Sequence, residues 1–177
     1  MKKLLGIFML IAGIVIAVTA SSATFAYFEA ERDVYIEVVP DDNELIDLVP
    51  LQPYAFIGEG GVLVIDLSEY NQKYPAGKGK GVSPDSIYVF EHMFGVSNHL
   101  WENITICMEI TYQGTGGVTF FIGDYVPGVT GDTTLKATIL PDEVVKVGMI
   151  INSTGIANGT AIEGLLNFYA YDGPCQN

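Results

Sequence analysis

The sequence predicts an all-β protein, an antiparallel β-sandwich of eight or nine short strands preceded by an N-terminal hydrophobic signal helix. Three observations carry this. Past residue 26, apolar residues recur with period two and almost nowhere with the helical period. Glycine and proline clusters (GEGG, PAGKGKG, QGTGG, VPGVTGD) break the chain about every ten residues, the spacing of sandwich turns. No stretch behind the N-terminal run reads as an interior helix.

The chain opens with MKKLLG, two lysines, and then the uncharged run LLGIFMLIAGIVIAVTA over residues 4–20. A basic start, an apolar middle and the small residues of SSATFA form the three parts of a secretory signal. The run is slightly short of the roughly 20 apolar residues that a membrane span uses. Residues 1–26 are therefore expected to be a cleaved signal peptide. A retained anchor over 4–20 is the alternative, and a pilin-type cut behind Gly6 is a third. Residues 27–177 then form one secreted domain, long enough to bury about two-thirds of its unfolded surface.

Along that domain the expected strands are DVYIEVV (33–39), YAFI (54–57), VLVIDL (62–67), IYVFEHMFGV (87–96), NITICMEITY (103–112), VTFFIGDY (118–125), TTLKATI (133–139), VVKVGMII (144–151) and LLNFYAY (165–171). In 103–112, Ile104, Ile106, Met108, Ile110 and Tyr112 alternate with Asn103, Thr105, Cys107, Glu109 and Thr111, one buried face and one wet face. In TTLKATI the inward set is Leu135, Ala137 and Ile139. Two stretches echo each other: SPDSIYVFEHMFGVSN and LPDEVVKVGMIINS both run Pro-Asp, apolar strand, Asn. Pro84 and Pro141 suit the position just before a strand, where no ladder donor is needed. Two similar turns in one sandwich explain the echo more simply than a duplicated domain. The unpatterned segment 68–86 holds Lys73, Lys78 and Lys80; it is a solvated loop or a basic contact for an acidic neighbouring copy.

The formal charge is −13, and losing Lys2 and Lys3 with the signal leaves six bases against 21 acids, or −15. Such a surface repels nucleic acid and anionic lipid and keeps an exported chain soluble. Nucleic-acid binding is not expected, and a membrane is met only through residues 4–20 if these are uncut. Two cysteines, Cys107 and Cys175, lie in the mature part. Alternation puts Cys107 on the wet face, where a C-terminal tail folding over the sheet reaches it. That bridge would be worth about 4 kcal/mol by chain entropy; two free thiols are the alternative. Sequons at Asn103, Asn152 and Asn158 point to a glycosylated exterior protein.

Catalytic signatures are missing. The two histidines, His92 and His99, do not have zinc-ligand spacing, and there is no Gly-x-Ser-x-Gly elbow and no phosphate loop. No enzyme activity and no cofactor are expected. The turn PDDNELID crowds Asp41, Asp42 and Glu44 together, which makes them calcium candidates against the plainer reading of an acidic surface turn.

Two resemblances add to this reading. The junction ATFAYFEAERDV resembles the export signals of the TasA/camelysin group, cut just before an aromatic; the resemblance places the cut between Ala26 and Tyr27. The body, through ERDVYIEVVPDDNELIDLVPLQPYAFIGEGGVLVIDL and FGVSNHLWENITICMEI, resembles an archaeal secreted family known only as a domain of unknown function. The TasA likeness implies a jelly-roll-like sandwich used as an extracellular fibre subunit, as in the similar archaeal bundling pilins. There an N-terminal segment completes a neighbour's sheet, which here means a donor of Tyr27, Phe28, Glu29, Ala30, Glu31, Arg32 and Asp33, with Val34 to Val39 as the first strand of the chain's own domain. The expected function is thus a cell-surface filament or matrix subunit that self-associates, with surface-layer components as further partners. A monomeric or anchored envelope-binding module is the alternative, and a camelysin-like metalloprotease has no matching zinc motif.

Overall fold

The computed structural model describes residues 6, 7, 9, 11 and 32–176. The chain divides into a unit ending at Glu37 and a compact unit from Val38 onward. In the first, residues 6, 7, 9 and 11 are helical and exposed, and 32–37 have no regular structure. Among the described residues no helix is long and apolar enough to cross a membrane. The junction Ala26–Tyr27 and the donor residues Phe28, Glu29, Ala30 and Glu31 lie outside the described residues.

The compact unit holds nine strands: β1 (Leu48–Pro50), β2 (Ala55–Ile57), β3 (Leu63–Ile65), β4 (Ile87–Ser97), β5 (Ile106–Gly114), β6 (Gly117–Ile122), β7 (Thr134–Ile139), β8 (Val144–Asn152) and β9 (Gly164–Asp172). All pairings are antiparallel. One sheet has the order β1-β4-β8-β6, another β7-β5-β9, and β2 and β3 form a separate hairpin. From β4 to β9 each successive strand lies in the other large sheet, so the chain winds back and forth across one core. The fold is the all-β antiparallel sandwich that the alternation predicts.

The core is built from the inward faces of both sheets. Phe94 and Val96 of β4, Phe120 of β6 and Val147 and Met149 of β8 meet Ile106, Met108 and Ile110 of β5 and Ile139 of β7. The Phe94 ring packs edge-on against Phe120 at 6.4 Å and against Phe168 of β9 at 5.8 Å, which joins the layers. Such aromatic edges add about 0.5–1.5 kcal/mol each beyond the area they bury. Of the alternating set, Ile106, Met108 and Ile110 are buried, while Ile104 and Tyr112 are half-buried at its two ends.

The Pro-Asp echo has a structural meaning. Its two strands, β4 and β8, are antiparallel neighbours, paired from Ile87↔Asn152 to Ser97↔Val144. Each Pro-Asp turn therefore meets the far end of the other strand. The Asp85 N–H donates to Ser153 O at 3.3 Å, and the Asp142 N–H donates to Asn98 O at 2.8 Å. Both aspartates are left-handed, with φ 51 and 57, a conformation that Asp tolerates better than most residues. The echo is a local two-fold within one sandwich.

A close approach at Gly148 gives a test of the packing. A Cβ there would lie 2.2 Å from Cζ of Phe121, whose ring covers the glycine from β6. The ring cannot withdraw cheaply, because Phe121 is buried and packs on Tyr125 at 5.7 Å. Gly148→Ala is expected to cost about 1–3 kcal/mol through overpacking, read as a lower urea midpoint. The additional change Phe121→Leu is expected to recover part of that loss.

One expected strand is absent. Residues 33–39 carry no regular structure, and Val34, Tyr35, Ile36 and Val38 are 80–95% exposed. The place of first strand goes instead to Leu48–Pro50, which is too short and too proline-bound to show a period. Local alternation identifies a segment able to pair but does not say with what.

Candidate assembly edge

A sandwich built from open sheets has edges, and an uncovered edge is a row of unpaired backbone groups. Of the four edges of the two large sheets, three are blunted, each by a different device, although on the first of them β1 covers only Phe94–Val96 of β4. On β1 the Ser97 N–H donates to Asp47 O at 3.0 Å and the Leu51 N–H to Met93 O at 3.1 Å, so the odd positions face β4. Leu48 and Pro50 then face outward by alternation. The Leu48 N–H is taken by Asp41 O at 2.6 Å, and Pro50 has no N–H to offer. On β6 the outward Phe120 exchanges both backbone bonds with Asp132, at 2.8 and 2.9 Å. On β7 the outward Thr134 N–H is capped by the Asp132 carboxylate at 3.2 Å, and the next outward residue is the charged Lys136.

The fourth edge is β9. The Gly173 N–H donates to Thr105 O at 2.9 Å and the Thr115 N–H to Glu163 O at 2.8 Å, both in the β5–β9 register. The odd residues of β9 therefore bond to β5, and Gly164, Leu166, Phe168, Ala170 and Asp172 turn their backbone groups away from it. Among the described residues no strand lies on that side. The inner face of this edge carries Leu166 and Phe168, packed on the core, and its outer face carries the exposed Leu165, Tyr169 and Tyr171. Its sequence, GLLNFYAYD, holds no lysine and no proline, the usual guards of an edge. That missing guard is the signal the sequence offered.

The disulfide ties the tail that follows the same strand to β5. Cys107 and Cys175 are bonded, with Cα atoms 4.7 Å apart. Cys107 is nevertheless buried rather than wet, because the tail covers it. The tail crosses the outer face from β9 past β5 to β7, where the Cys175 N–H donates to Thr138 Oγ1 at 3.0 Å.

The other expected site residues are scattered. Arg32 and Asp33 are exposed and without regular structure. Asp41 Oδ2 accepts the Leu63 N–H at 2.7 Å, which ties the acidic turn to the β2–β3 hairpin, and Asp42 Oδ1 accepts from Asn43 at 3.2 Å. Among the described residues no three His, Cys, Asp or Glu side chains are grouped to hold a metal ion. Partial burial, with Asp41 and Asp47 nearby, raises the Glu44 pKa above the ordinary carboxyl value. A raised carboxyl favours folding below its unfolded pKa and loses that contribution as pH rises through its folded pKa. Glu44→Gln is therefore expected to raise the Tm at pH 7 and leave it unchanged near pH 3.

Each histidine has a structural contact that its spacing in the sequence does not announce. His92 sits in a bulge of β4 with φ 51, its Nε2 2.8 Å from Asp124 Oδ1. His99 stands between Asp47 and Asp142 at 3.4 and 3.5 Å, fastening the turns at one end of the sandwich. The long loop is also less free than it reads: Asn71 is buried and bonds to Pro53 O and Asp66 O, and Lys80 pairs with Glu69 at 2.6 Å. Lys73 and Lys78 stay exposed.

The fold and this edge define a single-core antiparallel sandwich in which β9 is open along its whole outward side among the described residues. The chain belongs to the family described as "Protein of unknown function (DUF1102)", whose model matches residues 38–175. The match begins at the residue where the compact unit begins. No curated protein matches the chain.

Proposed function

We propose that the exported chain is a non-catalytic structural subunit of the cell surface that self-assembles by strand addition. The N-terminal segment of one copy pairs along the β9 edge of the next. The observation that carries this is the exposed segment 33–39, DVYIEVV, which has strand composition and no sheet of its own. Added strands gain affinity from main-chain bonds and specificity from alternate side chains. Val34, Ile36 and Val38 form one apolar row suited to the side of Leu166 and Phe168. Tyr35 and Glu37 then stand beside Tyr169 on the wet face. The donor thus runs from Tyr27 through Val39, longer than the segment ending at Asp33 that the resemblance implies.

In this reading the signal is cut between Ala26 and Tyr27, the disulfide belongs to an oxidising exterior compartment, and the sequons at Asn103, Asn152 and Asn158 face glycosylating enzymes. The acidic surface keeps free subunits soluble until the segments pair. Neither a cofactor nor nucleic acid takes part, and surface-layer components are the remaining partners. Purified residues 27–177 are expected to sediment as concentration-dependent assemblies and to form elongated particles in negative stain. Monomers at every concentration would contradict the proposal.

A further inference from the structure

Trp101 is 90% exposed, the most exposed aromatic residue among the described residues. It sits at the tip of the turn between β4 and β5, where the Asn103 N–H donates to Leu100 O at 3.2 Å. Asn103 closes that turn in the left-handed region, with φ 54, and it is exposed. A turn followed by a left-handed residue is a tight, well-defined bend, so Trp101 and Asn103 stand two residues apart on one hydrogen-bonded turn. Asn103 is also the acceptor of the sequon Asn103-Ile104-Thr105.

The other two sequons are built differently. The Asn152 carboxamide oxygen already accepts the Thr154 N–H at 3.0 Å, at the end of a strand paired on both sides. Asn158 has no aromatic residue within five positions on either side. Only Asn103 combines an exposed amide, an ordered turn and an adjacent apolar plate.

We propose that Asn103 carries an N-linked glycan and that Trp101 is the platform on which its first sugar lies. In the transfer, Asn103 Nδ2 forms a bond to C1 of a sugar carried on a lipid phosphate. The C1–O bond to phosphate breaks, Nδ2 gives up one proton, and the lipid phosphate leaves. The sugar's C–H face then meets the electron-rich indole face, an attraction of the same origin as aromatic edge-to-face packing. It also covers apolar area that the protein leaves in water. The inference rests on the exported reading.

The test uses the exported protein from a glycosylating host: wild type, Trp101→Ala, Thr105→Ala and the double variant. Glycopeptide mass spectrometry reads occupancy at all three sequons, and thermal unfolding reads the coupling. Asn103 is expected to be occupied. Trp101→Ala is expected to lower the Tm of the glycosylated chain by about 2–4 °C and to leave the Thr105→Ala chain unchanged. An exported chain with bare Asn103 overturns this inference alone, as does an equal effect of Trp101→Ala in both backgrounds. A chain retained inside the cell overturns the exported reading, and this inference with it.

Discussion

Removing residues 27–39 is expected to convert the assembling chain into a monomer, while removing only 27–33 leaves assembly weakened but present. The two truncations separate two donors that the sequence alone could not. If Val34 to Val39 were the first strand of the parent sandwich, a chain starting at Val34 would keep a complete fold and lose its donor. The structure gives that segment no strand at home and leaves Tyr35 and Val38 88% and 95% exposed. A chain starting at Pro40 should retain all nine strands and its melting temperature, because the first strand and the buried core begin at Leu48. Sedimentation velocity on the chains 27–177, 34–177 and 40–177 checks this. Polymers of undiminished size from 40–177 would remove the N-terminal segment from the mechanism.

The second large effect concerns stability. Cys107 and Cys175 are 68 residues apart, and opening their bond is expected to cost about 4 kcal/mol by the chain-entropy estimate. For a domain of this size that is a fall of roughly 10 °C or more in Tm. The variant Cys107→Ala/Cys175→Ala tests it by calorimetry, with dithiothreitol on the native chain as an independent check. The loss should be felt first at β9, because the tail that fastens it across β5 and β7 comes free. Backbone exchange should therefore quicken at Tyr169 and Tyr171 before it does in β8. A uniform increase would show that the bond acts only through the unfolded chain.

Most of the sandwich was legible because half-burial imposes period two. Ile106, Met108 and Ile110 declare their face without knowledge of any partner strand, and so does Ile139. Pairing is a different kind of information. Residues 33–39 alternate as well as any real strand, yet the bonds that would make them one are non-local. Leu48–Pro50 is a strand only because β4 lies beside it. The open edge was half legible for the same reason: GLLNFYAYD lacks an edge guard, but that β9 lies outermost follows from the strand order β7-β5-β9. The cysteine pairing was within reach of the pattern. The burial of Cys107 was not, since it depends on where a tail of Gly, Pro and Cys comes to rest.

The most direct test of strand addition is a single substitution on the open edge. Ala170 is exposed, and its N–H points away from β5, so Ala170→Pro removes an outward donor and leaves the β5 ladder intact. The chain already uses this device at Pro50, on the outward side of β1. Sedimentation of residues 27–177 bearing Ala170→Pro is expected to show monomers with a melting temperature close to that of the unsubstituted chain. Assemblies as large as those of the unsubstituted chain would contradict the β9 edge as the acceptor.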